Sequence, residues 1–263
     1  MKTISLNLYQ ARKSSIHSLD PRAKIIVTVL VIFSNALLPD GTWLAFGITW
    51  GVLLGVTYLA GIPFKFLFSR SLIVLPFAFA AVTTIFSTPG TPLAALTYPP
   101  VTITVPGLTR FGSIMLRSWL SVQAAILLSA TTPFPDLVHA LRHLKIPPIL
   151  VSIISFMYRY LFVLIDEAKR LLRARASRSA RLPHRKGGGN LAWNAKNSGS
   201  LVGQLFLRSL ERSERIYQAM QSRGFQGNLL TLNPHLMGVA DWLALMAALM
   251  VLSVIQACGR WWA

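Results

Sequence analysis

The stretch ILVSIISFMYRYLFVLI, residues 149–165, decides how the chain is laid out. It approaches the roughly 20 apolar residues that cross a bilayer, yet Arg159 and two tyrosines sit in its middle. If it spans, the 13 Lys and Arg residues that follow Asp166 up to residue 235 fall opposite the basic amino terminus. That arrangement opposes the tendency of Lys and Arg to stay on the cytoplasmic side. If it does not span, residues 133–235 form one cytoplasmic block holding 16 of the 26 Lys and Arg and five of the eight acids. The second reading satisfies the charge rule, and we adopt it.

Outward from this block, five apolar segments occupy 25–38, 42–62, 71–86, 112–131 and 236–257. The expected fold is an all-α integral membrane protein with about five transmembrane helices and a cytoplasmic domain of long amphipathic helices. Its parts are 1–132 (four membrane helices), 133–235 (cytoplasmic helices) and 236–263 (the last membrane helix). The amino terminus then lies inside and the carboxyl terminus outside. Composition agrees: 53% of residues are hydrophobic and 13% charged, where soluble domains carry about 25% charged residues. The formal charge of +18 is interleaved with apolar blocks, so it reads as topology and not as a nucleic-acid surface. The single cysteine, Cys258, excludes an intrachain disulfide. No apolar core with a small-residue cleavage site opens the chain, so the first apolar segment is expected to remain as an anchor.

The Pro- and Thr-rich stretch STPGTPLAALTYPPVTITVPG, 87–107, suits a turn or hairpin on the outer side. FPDLVHALRHLKIPP predicts a short helix stopped by Pro147 and Pro148. A long helix should follow over about 149–179, and a second, amphipathic one over roughly 201–223, with Gly224 as its left-handed cap. Three consecutive glycines make 182–200 a predicted loop.

Both long helices end in a similar way. Ala174 to Ser179 reads ARASRS and Ala219 to Gly224 reads AMQSRG, a shared A-x-x-S-R-small pattern. Arginine at a helix end can simply offset the negative pole of the helix dipole, a contribution of about 0.3–1 kcal/mol. It can also enter a partner's cleft and meet a carboxylate there, with small neighbours permitting close approach. Two such ends suit a partner with two equivalent clefts.

Four blocks carry a family resemblance: SSIHSLDPRAKI, RSWLSVQAAILLSATTPFPDLVHALRHLKIPP, FMYRYLFVLIDEAKRLLRARASRS and RSLERSERIYQAMQSRGFQG. Together, from Ser14 to about Gly227, the chain resembles the transmembrane T component of energy-coupling factor (ECF) transporters. The MYRYLFVLIDEAKR block is closest to the CbiQ type of cobalt systems, with nickel systems similar. The resemblance implies coupling of ATP hydrolysis, performed by two ATP-binding-cassette subunits, to movement of a metal-binding membrane subunit, with or without a small accessory subunit. It implies a bacterial inner-membrane location, no catalysis by this chain and no cofactor in it, ATP and Mg being held by the partners. The family's paired Ala-Arg-Gly motifs fall on Ser177, Arg178 and Ser179 and on Ser222, Arg223 and Gly224. Ser replaces the usual Ala in both, and Ser179 stands where Gly is usual, so Arg175 rivals Arg178 for the first motif. Phe156, Tyr160, Phe162 and Val163 are assigned to the substrate subunit.

Other residues point less far. His139 and His143 have the i, i+4 spacing of a metal pair and Asp136 lies one turn earlier, but a solvated helix face explains them as well, and no metal ligand is assigned. Gly187, Gly188 and Gly189 lack the G-x-x-x-x-G-K-S/T context of a phosphate-binding loop. Asp241 is expected near the inner headgroups, and Arg117 is costly if it meets lipid. An ordinary ABC permease, and a membrane-anchored protein binding anionic lipid or nucleic acid, are the competing classes.

Overall fold

A computed structural model describes residues 9–12, 14–96, 101–144, 146–178, 191–227 and 237–261. The chain separates into two compact units, one of residues 1–144 with 234–263, the other of residues 145–233.

In the first unit, α1 (Pro21–Ala36) starts where Asp-Pro dictates. The Asp20 carboxylate accepts from the Arg22 N–H at 2.8 Å, and Pro21, lacking an N–H of its own, occupies the first turn. Then come α2 (Trp43–Leu59) and the short α3 (Phe64–Ser71). The apolar segment expected over 71–86 is not one straight helix. A 3₁₀ turn at Leu72–Val74 precedes α4 (Leu75–Ser87), and the run bends by 49° between Phe64–Phe77 and Phe79–Ser87. Pro76 occupies the first turn of α4, where a missing N–H is tolerated.

As the Pro- and Thr-rich stretch suggested, β1 (Pro92–Leu96) and β2 (Val101–Thr104) pair antiparallel. The last strand residue also starts the next helix. The Thr104 hydroxyl donates to the Thr88 carbonyl at 2.8 Å and accepts from the Gly107 N–H at 3.2 Å, opening α5 (Val105–Thr131). At 27 residues α5 is about 40 Å long. Its buried face runs through Ser113, Leu120, Ala124, Leu127 and Thr131 at helical spacing, against α1, α2, α3 and α4. After it, α6 (Phe134–His143) packs on α1 and so belongs to this first unit.

The second unit consists of α7 (Pro148–Arg178) and α8 (Leu191–Gln221). Sequence placed 182–200 in a loop. Residues 191–200 are instead the first turns of α8, whose side chains at Asn194 and Ser198 meet Arg175 of α7, a tertiary contact that overrides weak helix propensity. The glycine run and Ser179 lie outside the described residues. Finally α9 (Val239–Trp261) returns to α1 and α2, where Gly259 lets Leu38 approach so closely that a Cβ would sit 2.5 Å from it.

This is an all-helical membrane protein, the hairpin aside. By length and composition α5, α7 and α9 could each cross a membrane, or four segments if the bent α3–α4 pair counts as one. Of the other expected spans, α1 has 16 residues and α2 has 17.

The polar groups of the first unit are built into it. Asp241 does not face headgroups: it is 7% exposed, and its carboxylate accepts from the Asp20 N–H at 2.7 Å and the Gly238 N–H at 2.8 Å. It joins the starts of α1 and α9, because both present unbonded N–H groups there. Replacing Asp241 by Ala should leave two donors unsatisfied and cost about 1–3 kcal/mol, read as a lower unfolding midpoint in detergent, with Asp241→Asn milder. Arg117 likewise avoids lipid by donating to the Leu38 carbonyl and, at 2.8 Å, to the Asp40 carboxylate. His139 and His143 stack edge to face with centroids 4.9 Å apart, and among the described residues no group of three or more His, Cys, Asp or Glu could hold a metal.

Candidate functional site

The two helices of the second unit run antiparallel. Arg175 reaches Ser198 at 3.3 Å, Arg208 of α8 meets Glu167 of α7 at 2.5 Å, and Phe156 meets Phe225 edge to face at 6.3 Å. Each step back along α7 thus corresponds to a step forward along α8. Arg178 ends α7 at one extremity, whereas Arg223 follows α8 at the other, near the level of Phe156. The 22 residues from Phe156 to Arg178 separate the levels of the two arginines by roughly 33 Å at 1.5 Å per residue.

Local chemistry leaves the arginines as the outward groups. Ser177 donates to the Arg173 carbonyl at 2.8 Å and Ser222 to the Ala219 carbonyl at 3.0 Å, so both hydroxyls are used within their own chain turns. Arg178 and Arg223 are exposed and have no ion-pair partner among the described residues. Arg175, the rival for the first motif, is half-buried and turned toward α8.

Gly224 has φ of +79°, the left-handed cap that the sequence suggested. The Phe225 N–H donates to the Met220 carbonyl at 3.0 Å and the Gly224 N–H to the Gln221 carbonyl at 2.9 Å, the paired bonds of a Schellman motif. This turn sends the chain back onto α7, where Phe225 packs on Phe156 and Ser152 donates to the Gly227 carbonyl at 3.1 Å. Gly224→Ala should therefore cost about 1–2 kcal/mol from the left-handed backbone alone. The expected readout is faster amide exchange at Phe225 with α7 unchanged.

Between α7 and α8 lies an apolar groove of about 700 Å³. Three of the four residues assigned to a substrate subunit, Phe156, Tyr160 and Val163, line it at i, i+4, i+7 spacing. Phe162 is not among the lining residues and packs edge to face on Tyr158 at 5.2 Å. Two positions beyond Tyr160, it is turned about 200° away around the helix. From α8 the groove takes Phe206, Leu210, Ile216 and Met220 among others. No described side chain of α8 is buried, and Phe206 and Leu207 are each 62% exposed. A helix with this many open apolar groups carries a surface for another molecule.

Electrostatics holds the pair together at mid-length. Glu167, 6% exposed, accepts from Arg208 through Oε1 and from Arg170 through Oε2. Its carboxyl is held below the ordinary carboxylate value, first by the hydrogen bond from Arg208, then by the charges of Arg170, Arg208 and Arg212, with burial opposing. A depressed carboxylate contributes stability that is present above its unfolded value and lost only as pH falls through the lowered one. Distances between spin labels at Ala174 and Gln221 should thus be constant from neutral pH down through the ordinary carboxylate range and spread only below it.

The cobalt transport protein (CbiQ) family model matches residues 12–235, which covers all of the second unit and most of the first. The chain belongs to the CbiQ family. It is a T component of ECF type, and its named relatives are transmembrane components of transporters. An energy-coupling factor transporter transmembrane protein, EcfT, of Leuconostoc gelidum is 28% identical over 86% of this chain and 85% of its own. An uncharacterized protein of Methanocaldococcus jannaschii is 28% identical over 87% of this chain and 77% of its own. The cobalt transport protein CbiQ of Rhodobacter capsulatus is 26% identical over 48% of this chain and 49% of its own. The CbiQ family match thus covers both arginine-ended helices and the groove between them.

Proposed function

We propose that this chain is the energy-coupling subunit of a cobalt uptake transporter, transmitting ATP-driven motion of two ATP-binding-cassette subunits to a metal-binding membrane subunit. The observation that supports this most directly is the pair of exposed arginines, without an ion-pair partner among the described residues, at opposite ends of one antiparallel helix pair. Two identical ATPase subunits offer two equivalent clefts, and arginines roughly 30 Å apart suit one cleft each. Closure of the ATPase dimer would move both helices together, turning the pair as a body. The groove, lined by Phe156, Tyr160 and Val163, is the surface for the substrate subunit. Phe162, on the other side, is left out of that contact. Arg178 takes the first motif, since Arg175 is engaged with α8.

In this reading α7 lies on the cytoplasmic face despite its apolar first half, because its basic second half and all of α8 would otherwise sit opposite the amino terminus. The chain resides in the bacterial inner membrane, amino terminus inside and carboxyl terminus outside. ATP and Mg belong to the partners, and this chain holds no cofactor.

The EcfT relatives, aligned over most of the chain, support a second reading in which the same subunit serves a vitamin-type substrate protein. Uptake of cobalt(II), nickel(II) and a vitamin panel by vesicles carrying the assembled transporter separates the two. Cobalt uptake that needs ATP and this chain supports the first, nickel uptake moves the assignment to the sister metal, and vitamin uptake alone overturns it.

A further inference from the structure

Glu167 is the only buried ionisable side chain among the described residues of the second unit. An apolar contact at this position would also hold two helices together, because desolvating the carboxylate offsets part of its attraction to the two half-exposed guanidiniums. What an apolar pair does not supply is register. Both carboxylate oxygens are committed: Oε2 to Arg170, one turn along the same helix, and Oε1 to Arg208, 41 residues away on α8. The first bond holds the side chain's direction, and the second fixes which turn of α8 it faces. A slide of one helical turn, about 5.4 Å, would remove Arg208 from reach.

The position along the pair matters as much. Glu167 lies 11 residues from Phe156, which meets the turn after α8, and 11 residues from Arg178 at the end of α7. The clasp therefore sits midway between the levels of the two arginine tips. Between the turn at Gly227, held on α7 by Ser152, and the far end, where Arg175 makes only long bonds to Ser198 and Asn194, Glu167 and Arg208 form the one ion pair between α7 and α8 among the described residues.

We propose that Glu167 and Arg208 form the pivot of the helix pair, a positioning device that keeps the two arginine tips at one spacing so that motion at one tip reaches the other. The function of this pivot rests on the coupling role proposed above, whereas its geometry does not. The residues act through Arg178 and Arg223 and touch neither substrate nor nucleotide.

The test has two arms. In the first, the full chain with Cys258→Ser is placed in lipid nanodiscs with spin labels at Ala174 and Gln221, and the label distance is measured by pulsed electron resonance. Glu167→Gln and Arg208→Gln should each broaden the distribution at least twofold, and the double variant should broaden it no further. Arg215→Gln, which loses an exposed pair with Glu211, should leave it unchanged. In the second arm, cobalt(II) uptake per ATP hydrolysed is compared in the assembled, unlabelled transporter. The two pivot variants should retain the ATPase subunits on purification yet fall at least fivefold in uptake per ATP. An unchanged distance distribution in Glu167→Gln overturns the pivot whatever happens to uptake. A broadened distribution with unaltered uptake per ATP overturns its functional part. Loss of the coupling reading itself has a separate signature, in which the parent chain fails to copurify with the ATPase subunits while the first arm still behaves as expected.

Discussion

Replacing Arg178 or Arg223 by alanine is expected to reduce ATP-driven uptake about ten- to a hundred-fold. Each arginine, placed in a cleft against a carboxylate, makes charge-assisted bonds of about 1.5–3 kcal/mol, and each 1.4 kcal/mol is tenfold in affinity. The double variant should lose the ATPase subunits on purification. Arg173→Ala, exposed on the same helix and within two turns of Arg178, should stay within about twofold of the parent because surface charges contribute little individually. The comparison separates the coupling role from a general basic surface. A surface that holds anionic lipid or nucleic acid would weaken in all three variants alike and in proportion to salt. An ordinary permease would be indifferent to at least one of the tips.

The second large effect is expected in the groove. Val163→Glu places a carboxylate in a mostly apolar groove that Arg212 also lines, and covering it with a docked apolar surface carries a desolvation penalty. The substrate subunit should be lost from the purified complex while the ATPase subunits remain. Val163 is 38% exposed, so the free chain tolerates the change, unlike Phe156→Glu, which would also displace Phe225 and with it the turn at Gly224. Phe162→Glu is the control. It lies on the other side of α7, and the substrate subunit should stay bound. Equal loss in Val163→Glu and Phe162→Glu would mean that the whole apolar half of α7, not the groove, is the docking surface.

Patterns within one element were legible in the sequence. The extent of α7, the hairpin and the left-handed cap at Gly224 all follow from nearest-neighbour chemistry: periodicity, Pro and Thr content, and a glycine after the last helical turn. What depends on a distant partner was not legible. Asp241 looked like a headgroup-facing acid because its acceptor role involves the N–H of Asp20, 221 residues away. Nothing local marks Glu167 as a buried residue, because its partner Arg208 comes from the next helix. The first turns of α8 looked like a loop because Asn, Ser and Gly argue locally for one, whereas Arg175 supplies a reason for order from outside the segment.

The openness of α8 bears on the life of the chain before assembly. With no buried side chain among the described residues of α8 and with Phe206, Leu207 and Tyr217 exposed, a solitary copy displays the kind of surface that chaperones and proteases bind. Docking of partners would hide that same surface. Degradation of the copies that remain uncovered would then set the amount of this chain by the supply of its partners, a form of quality control that requires no dedicated signal in the sequence.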